Sequence, residues 1–179
     1  MKQEICRKLV GAFAAFAMFS SPAAVFAAYA GKGTFEETID VSGAAVIDVT
    51  NESGAIEVVG DDVDQVSIRA KVKISKRLSS SNPARAEQII RSIKRSPPVS
   101  VEGGRIQISK INERYQRHAS ISYKIVVPRN SEVNVQSVSG DVKVSGVKGD
   151  VNATSEKGKV TLAETSVTGT AEQAMAAAD

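Results

Sequence analysis

The chain has 179 residues, 23 Lys and Arg against 20 Asp and Glu, a single cysteine and no tryptophan. That length suits one ordinary domain, and one cysteine excludes an intramolecular disulfide framework. The net charge of +3 is too small to point to nucleic acid as a partner.

Residues 1–30 have the layout of a secretory signal peptide. Lys2, Arg7 and Lys8 give a basic start, Leu9 to Phe19 form an apolar run, and small residues offer cleavage after Ala27, Ala28 or Ala30. The run falls well short of the roughly 20 apolar residues that span a bilayer. The expected division is therefore a signal over 1–30 and a single β-rich domain over 31–179, without an integral membrane span in the mature chain. Removing the leader takes Cys6 with it. It also leaves 20 basic against 19 acidic residues, a net charge of about +1. Four of the five phenylalanines leave as well, so Val and Ile must fill the core almost alone.

From residue 38 the pattern is period two. Ile39 and Val41, Ile47 and Val49, Ile56 and Val58, and Val66 through Ile74 alternate with polar residues, as half-buried strands do. Asn51-Glu52-Ser53-Gly54 and Gly60-Asp61-Asp62 punctuate them as turns. Arg69, Lys71 and Lys73 then alternate with Ala70, Val72 and Ile74, and Lys76-Arg77 follow. On a strand this places three cations on one face at about 7 Å intervals. Two readings remain open for Arg69, Lys71, Lys73, Lys76 and Arg77: protection of an exposed sheet edge, or contact with a polyanion. No aromatics interleave with these cations, which disfavours nucleic acid.

The alternation breaks at residues 83–95, where Ala86, Ile89, Ile90 and Ile93 recur at helical spacing. Pro83 suits a first turn, Asn82 or Ser81 can cap it, and Pro97-Pro98 ends it. One short helix is expected there. Strands resume at Val99 and Val101, Ile106 and Ile108, and Ile121 through Val127, with turns at Gly103-Gly104 and Pro128-Arg129-Asn130.

The stretch from Ser139 to Gly146, SGDVKVSG, repeats the form of Ser53 to Gly60, SGAIEVVG. A partial third copy lies at Lys157 to Leu162, and Val147-Lys148-Gly149 recurs as Val167-Thr168-Gly169. A period near 20 built from turn plus short strand is how stacked β coils are written. The fold class expected is all-β: a short right-handed parallel β-solenoid-like stack with one short helix. An antiparallel β-sandwich is the alternative, since glycine turns serve sandwiches too.

The order VTNESGAIEVVG, basic β run, helix, VEGGRIQIS and then ISYKIVVPRNSEVNVQSVSGDVKVSGVKGDVNATSEKGKV resembles the bacterial putative-adhesin domain family of unknown function, over about residues 38–170. Ile125-Val126-Val127-Pro128 followed by the glycine-paired repeats is its most characteristic part. The resemblance implies a right-handed β-solenoid-like fold outside the cytoplasm. It implies no activity, and it supplies no catalytic residues to carry over.

Sites for chemistry are sparse. His118 stands alone, without cysteine or a nucleophile motif, and reads as a polar loop residue. Asp61, Asp62 and Asp64 lack the spacing of a calcium loop and read as turn formers. The triplets at Asn51 and Asn152 match a glycosylation acceptor but read as turn and surface strand positions. No catalytic, cofactor or metal site is expected.

The function expected is that of an exported, non-enzymatic cell-envelope protein, in the periplasm, at the cell surface or outside the cell. Its flat polar β faces would bind a protein or polysaccharide surface partner. The alternatives are a self-associating assembly module and, further off, an enzyme acting on acidic polysaccharides.

Overall fold

A computed structural model describes residues 31–165 and the backbone of 171–173. The expected leader over residues 1–30 with its Cys6, and the Val167-Thr168-Gly169 repeat end, lie outside the described residues. Two six-stranded sheets, both mixed, close their inward faces on one core. The first has β1 (Lys32–Asp40), β4 (Gln65–Ile74), β7 (Ala119–Pro128), β3 (Ile56–Asp61), β9 (Val142–Ser145) and β11 (Val160–Ala163), in that order. The second has β12 (Ala171–Gln173), β10 (Val151–Lys157), β8 (Glu132–Ser139), β2 (Val46–Ser53), β6 (Arg105–Ile108) and β5 (Val99–Glu102).

This corrects the expected fold class. The molecule is neither the solenoid-like stack nor an antiparallel sandwich. β1, β4 and β7 pair antiparallel, as do β5 and β6, whereas every pairing of β2, β3, β8, β9, β10 and β11 with one another is parallel. At ten residues each, β4 and β7 are more than twice the length of β9 or β11. Long antiparallel partners outside the repeat therefore make up half of the first sheet. The expectation of a single helix is also corrected. α1 (Lys76–Ser81) and α3 (Glu113–Gln116) accompany α2 (Pro83–Arg95).

α2 matches its sequence signal. The Asn82 side chain accepts from the Arg85 backbone N–H at 3.0 Å, and Ala86, Ile89, Ile90 and Ile93 are buried. It packs against β1 and β4 closely enough that a Cβ at Gly33 would collide with the Ile90 side chain.

The glycine-cornered arms β2–β3, β8–β9 and β10–β11 cross from one sheet to the other and lie side by side. The likeness of SGAIEVVG to SGDVKVSG becomes a direct pairing, with Ile56 beside Val142 and Val58 beside Val144. All four of these side chains are buried. Val160 and Leu162, in register with Val142 and Val144, are half-buried at the sheet edge.

The corners repeat one hydrogen-bond scheme. Gly54 N–H donates to Ser139 O at 2.9 Å, and Gly140 N–H donates to Lys157 O at 3.0 Å. A Cβ at Gly140 would collide with the Gly54 carbonyl, and one at Gly158 with the Gly140 carbonyl. Close approach of stacked backbones, not turn geometry alone, requires glycine here.

A polar row runs inside these corners, because Asn51, Ser137 and Ser155 are in register and buried. Asn51 Nδ2 donates to Ile121 O at 2.9 Å and to Gly54 O at 3.1 Å. Ser155 Oγ donates to Gly140 O at 3.0 Å, while Ser137 Oγ has no protein partner. The asparagine therefore ties the first corner to β7, and its side chain is a structural clamp in place of the expected turn residue.

Candidate functional site

Alternation sends one side chain of every two outward, so each sheet presents a face whose chemistry can be read strand by strand. On the second sheet, Gln107, Asp48, Asn134 and Asn152 form one cross-strand row, and Thr50, Gln136 and Thr154 the next. Asp48 is held from two sides, by Arg105 Nη1 at 2.6 Å and Asn134 Nδ2 at 3.2 Å. The second row opens onto a shallow groove of about 220 Å³, lined also by Lys110 and Glu156. Amides and hydroxyls that both donate and accept dominate this wall, and the parallel register keeps them in straight lines.

The outward face of the first sheet carries the basic strip. β4 is an interior strand between β1 and β7, so its cations do not guard an edge, and that reading is overturned. Arg69 is exposed but answered, with Nη2 at 2.8 Å and Nε at 3.1 Å from Glu36 Oε1. Hydrogen bonding to Arg69 lowers the Glu36 carboxyl below its ordinary range, and Glu36 raises the Arg69 guanidinium. The row continues to Lys124, which pairs with Glu57 at 3.5 Å. Charges there cancel in pairs.

Two residues along the strand the balance changes. Lys71 lies between Thr34 and Ser122, and Lys73 between Lys32 and Ser120. Lys76 falls on α1 just past the strand end, and with Lys73 it lines a groove shared with Arg117 and His118. Arg77, the last of the five sequence candidates, lines no described groove with them. The structure thus gathers Lys71, Lys73 and Lys76, sets Arg69 aside in an ion pair, and adds Arg117 and His118. These additions follow from register. Ile74 pairs with Ala119, and Ser75 N–H donates to His118 O at 2.8 Å, which brings residues just after β4 against residues just before β7. Antiparallel pairing of two distant basic stretches is the signal that would have found them.

The remaining sequence candidates take structural places. Asp61 and Asp62 face Arg129, at 3.6 Å and 2.8 Å. Among the described residues, no group of three or more His, Cys, Asp or Glu is placed to hold a metal ion, and no helix is long and apolar enough to cross a membrane. Tyr123, buried on β7, has its phenol pushed up by burial.

No family model matches the chain, and no curated protein matches it. Among solved structures it is similar to a putative cell adhesion protein from Clostridium sporogenes, at 14% identity and a TM-score of 0.42, over 73% of this chain and 61% of that one. It is also similar to a putative adhesin from Bacteroides fragilis, at 15% identity and a TM-score of 0.41, over 78% of this chain and 56% of that one. A putative adhesin from Parabacteroides distasonis follows at 12% and 0.38, over 78% and 55%. The chain spans about three fifths of the length of the structures it matches.

Proposed function

We propose that the chain is exported by way of residues 1–30 and serves, without catalysis, as a surface-binding module of the bacterial cell envelope. The contact is made by the outward wall of the second sheet. The observation that carries this reading is the pair of straight polar rows, Gln107-Asp48-Asn134-Asn152 and Thr50-Gln136-Thr154, set on parallel strands at one register. Asp48, Asn134 and Thr154 make internal bonds that hold the wall in place, and a rigid wall of donors and acceptors gains affinity from many weak contacts with low ordering cost. Its partner is a hydroxyl-rich or peptide surface, of polysaccharide or protein.

Two arms test the reading. Fractionation should recover the chain outside the cytoplasm with residues 1–30 removed, and deletion of residues 2–30 should hold it in the cytosol. Gln136→Arg with Thr154→Arg, which roughens the wall without touching the core, should lower binding of the purified chain to isolated envelopes by on the order of tenfold. A chain retained in the cytosol, or undiminished envelope binding by the double variant at unchanged Tm, refutes it.

A further inference from the structure

The basic side of the first sheet is a feature separate from the polar wall. Two grooves, of about 400 and about 490 Å³, share Lys73 and Ser120 and so form one trough across β1, β4, β7 and the α3–β7 loop. Lys71 and Lys73 stand about 7 Å apart along β4, and Lys76 and Arg117 line the same groove as Lys73 beyond the strand end. Ser122 and Ser120 sit beside the two strand lysines in register. No carboxylate lines either groove. Among the described residues, none of these four cations is ion-paired, whereas Arg69 and Lys124, one row away, both are. Like charges held this close raise one another's energy, and an anion laid along them relieves it.

The shape and surroundings of the trough narrow the anion. A bilayer-docking face sets apolar side chains among its cations, but the exposed large apolar residue of the described chain is Val101, 49% exposed on β5 at the edge of the other sheet. A single-stranded nucleic acid needs a series of aromatic platforms, and no Phe, Tyr or Trp lines either groove, His118 being the one ring there. What remains is an open trough of cations with hydroxyls beside them on the neighbouring strand. We propose that this trough binds a linear anionic polysaccharide. Lys71, Lys73, Lys76 and Arg117 meet its acidic groups, and Ser120 and Ser122 hydrogen-bond its hydroxyls.

The test uses the purified chain and four probes: polygalacturonate, neutral dextran, inorganic polyphosphate, and vesicles of equal phosphatidylglycerol and phosphatidylcholine. Polygalacturonate should bind, more weakly as salt rises, with dextran and vesicles far behind. The variant Lys71→Gln/Lys73→Gln/Lys76→Gln/Arg117→Gln should bind it on the order of tenfold or more weakly. A charge-matched control, Lys143→Gln/Lys148→Gln/Lys157→Gln/Lys159→Gln, should keep wild-type affinity, and both variants should keep the wild-type melting curve. Ser120→Ala/Ser122→Ala should weaken polygalacturonate but leave polyphosphate unchanged. Equal losses in the two lysine variants would mean net charge alone, and would overturn the proposal. So would vesicles or polyphosphate bound as tightly as the glycan. The envelope-binding variant Gln136→Arg/Thr154→Arg should bind polygalacturonate normally, so failure of either proposal is distinguishable from failure of the other.

Discussion

Gly140→Ala is the most informative single substitution. Gly140 has φ of +142°, and a Cβ there would meet the backbone carbonyl of Gly54 in the neighbouring arm. Neither atom is the end of a flexible side chain, so the arms must separate or the corner must refold. The left-handed backbone alone costs an L-residue about 1–2 kcal/mol, and forcing an extra methyl into packed structure adds about 1–3 kcal/mol. Their sum, about 2–5 kcal/mol, is a large part of the roughly 5–15 kcal/mol that holds a domain folded. Gly43 supplies the internal standard, because its φ is +94° but nothing lies within 4 Å of its added Cβ. Gly43→Ala should therefore cost only the backbone share. Urea denaturation followed by far-UV circular dichroism measures both. A loss for Gly140→Ala within about 0.5 kcal/mol of that for Gly43→Ala would refute the close stacking of the corners.

The buried polar row makes a graded set. Asn51→Ala strips donors from the Gly54 and Ile121 carbonyls and should cost about 2–3 kcal/mol, whereas Ser137→Ala removes an unpartnered hydroxyl and should be neutral or stabilising in the same denaturation assay. Tyr123→Phe should change the alkaline limb. The unfolded phenol releases its proton near its ordinary 10.0 while the folded one is raised and holds it, so stability is unaffected below pH 10.0 and falls above it by up to about 1.4 kcal/mol per pH unit. Denaturation midpoints at rising pH should show wild type falling faster than the variant. Arg69→Gln, which breaks an exposed pair with Glu36, should change Tm by less than the scatter between ordinary surface variants.

Alternation and helical spacing are local, and what they determine was legible in the sequence. The helix over 83–95, its Asn82 cap and its four buried apolar residues stand as expected, as do the inward Val and Ile of β2, β3, β4, β6 and β7, whereas on β5 Val99 is half-buried and Val101 exposed. Partner choice is not local. Period two assigns a strand two faces but no neighbour, so nothing in QVSIRAKVKI or ASISYKIVVP announced that these segments pair antiparallel. That pairing is what makes the sheets mixed and turns a supposed edge strand into an interior one. It also brings Arg117 and His118 to Lys73 and Lys76, which sequence distance alone conceals. α1 escaped notice because KRLSSS is short, buries no residue and carries no apolar period.

Both outward faces depend on the early arm β2–β3 lying directly against β8–β9, 86 residues later by register. In a Cys6→Ser background, Glu57→Cys with Lys143→Cys places two thiols on adjacent parallel strands, within the Cα separation a disulfide accepts. Glu57→Cys with Thr161→Cys places them two strands apart, at about 9.6 Å and out of reach. Under mild oxidation the first pair should cross-link within the monomer and the second should not, as read by mass spectrometry of the digest. Cross-linking of the second pair, or none in the first, would contradict the strand order on which both faces rest.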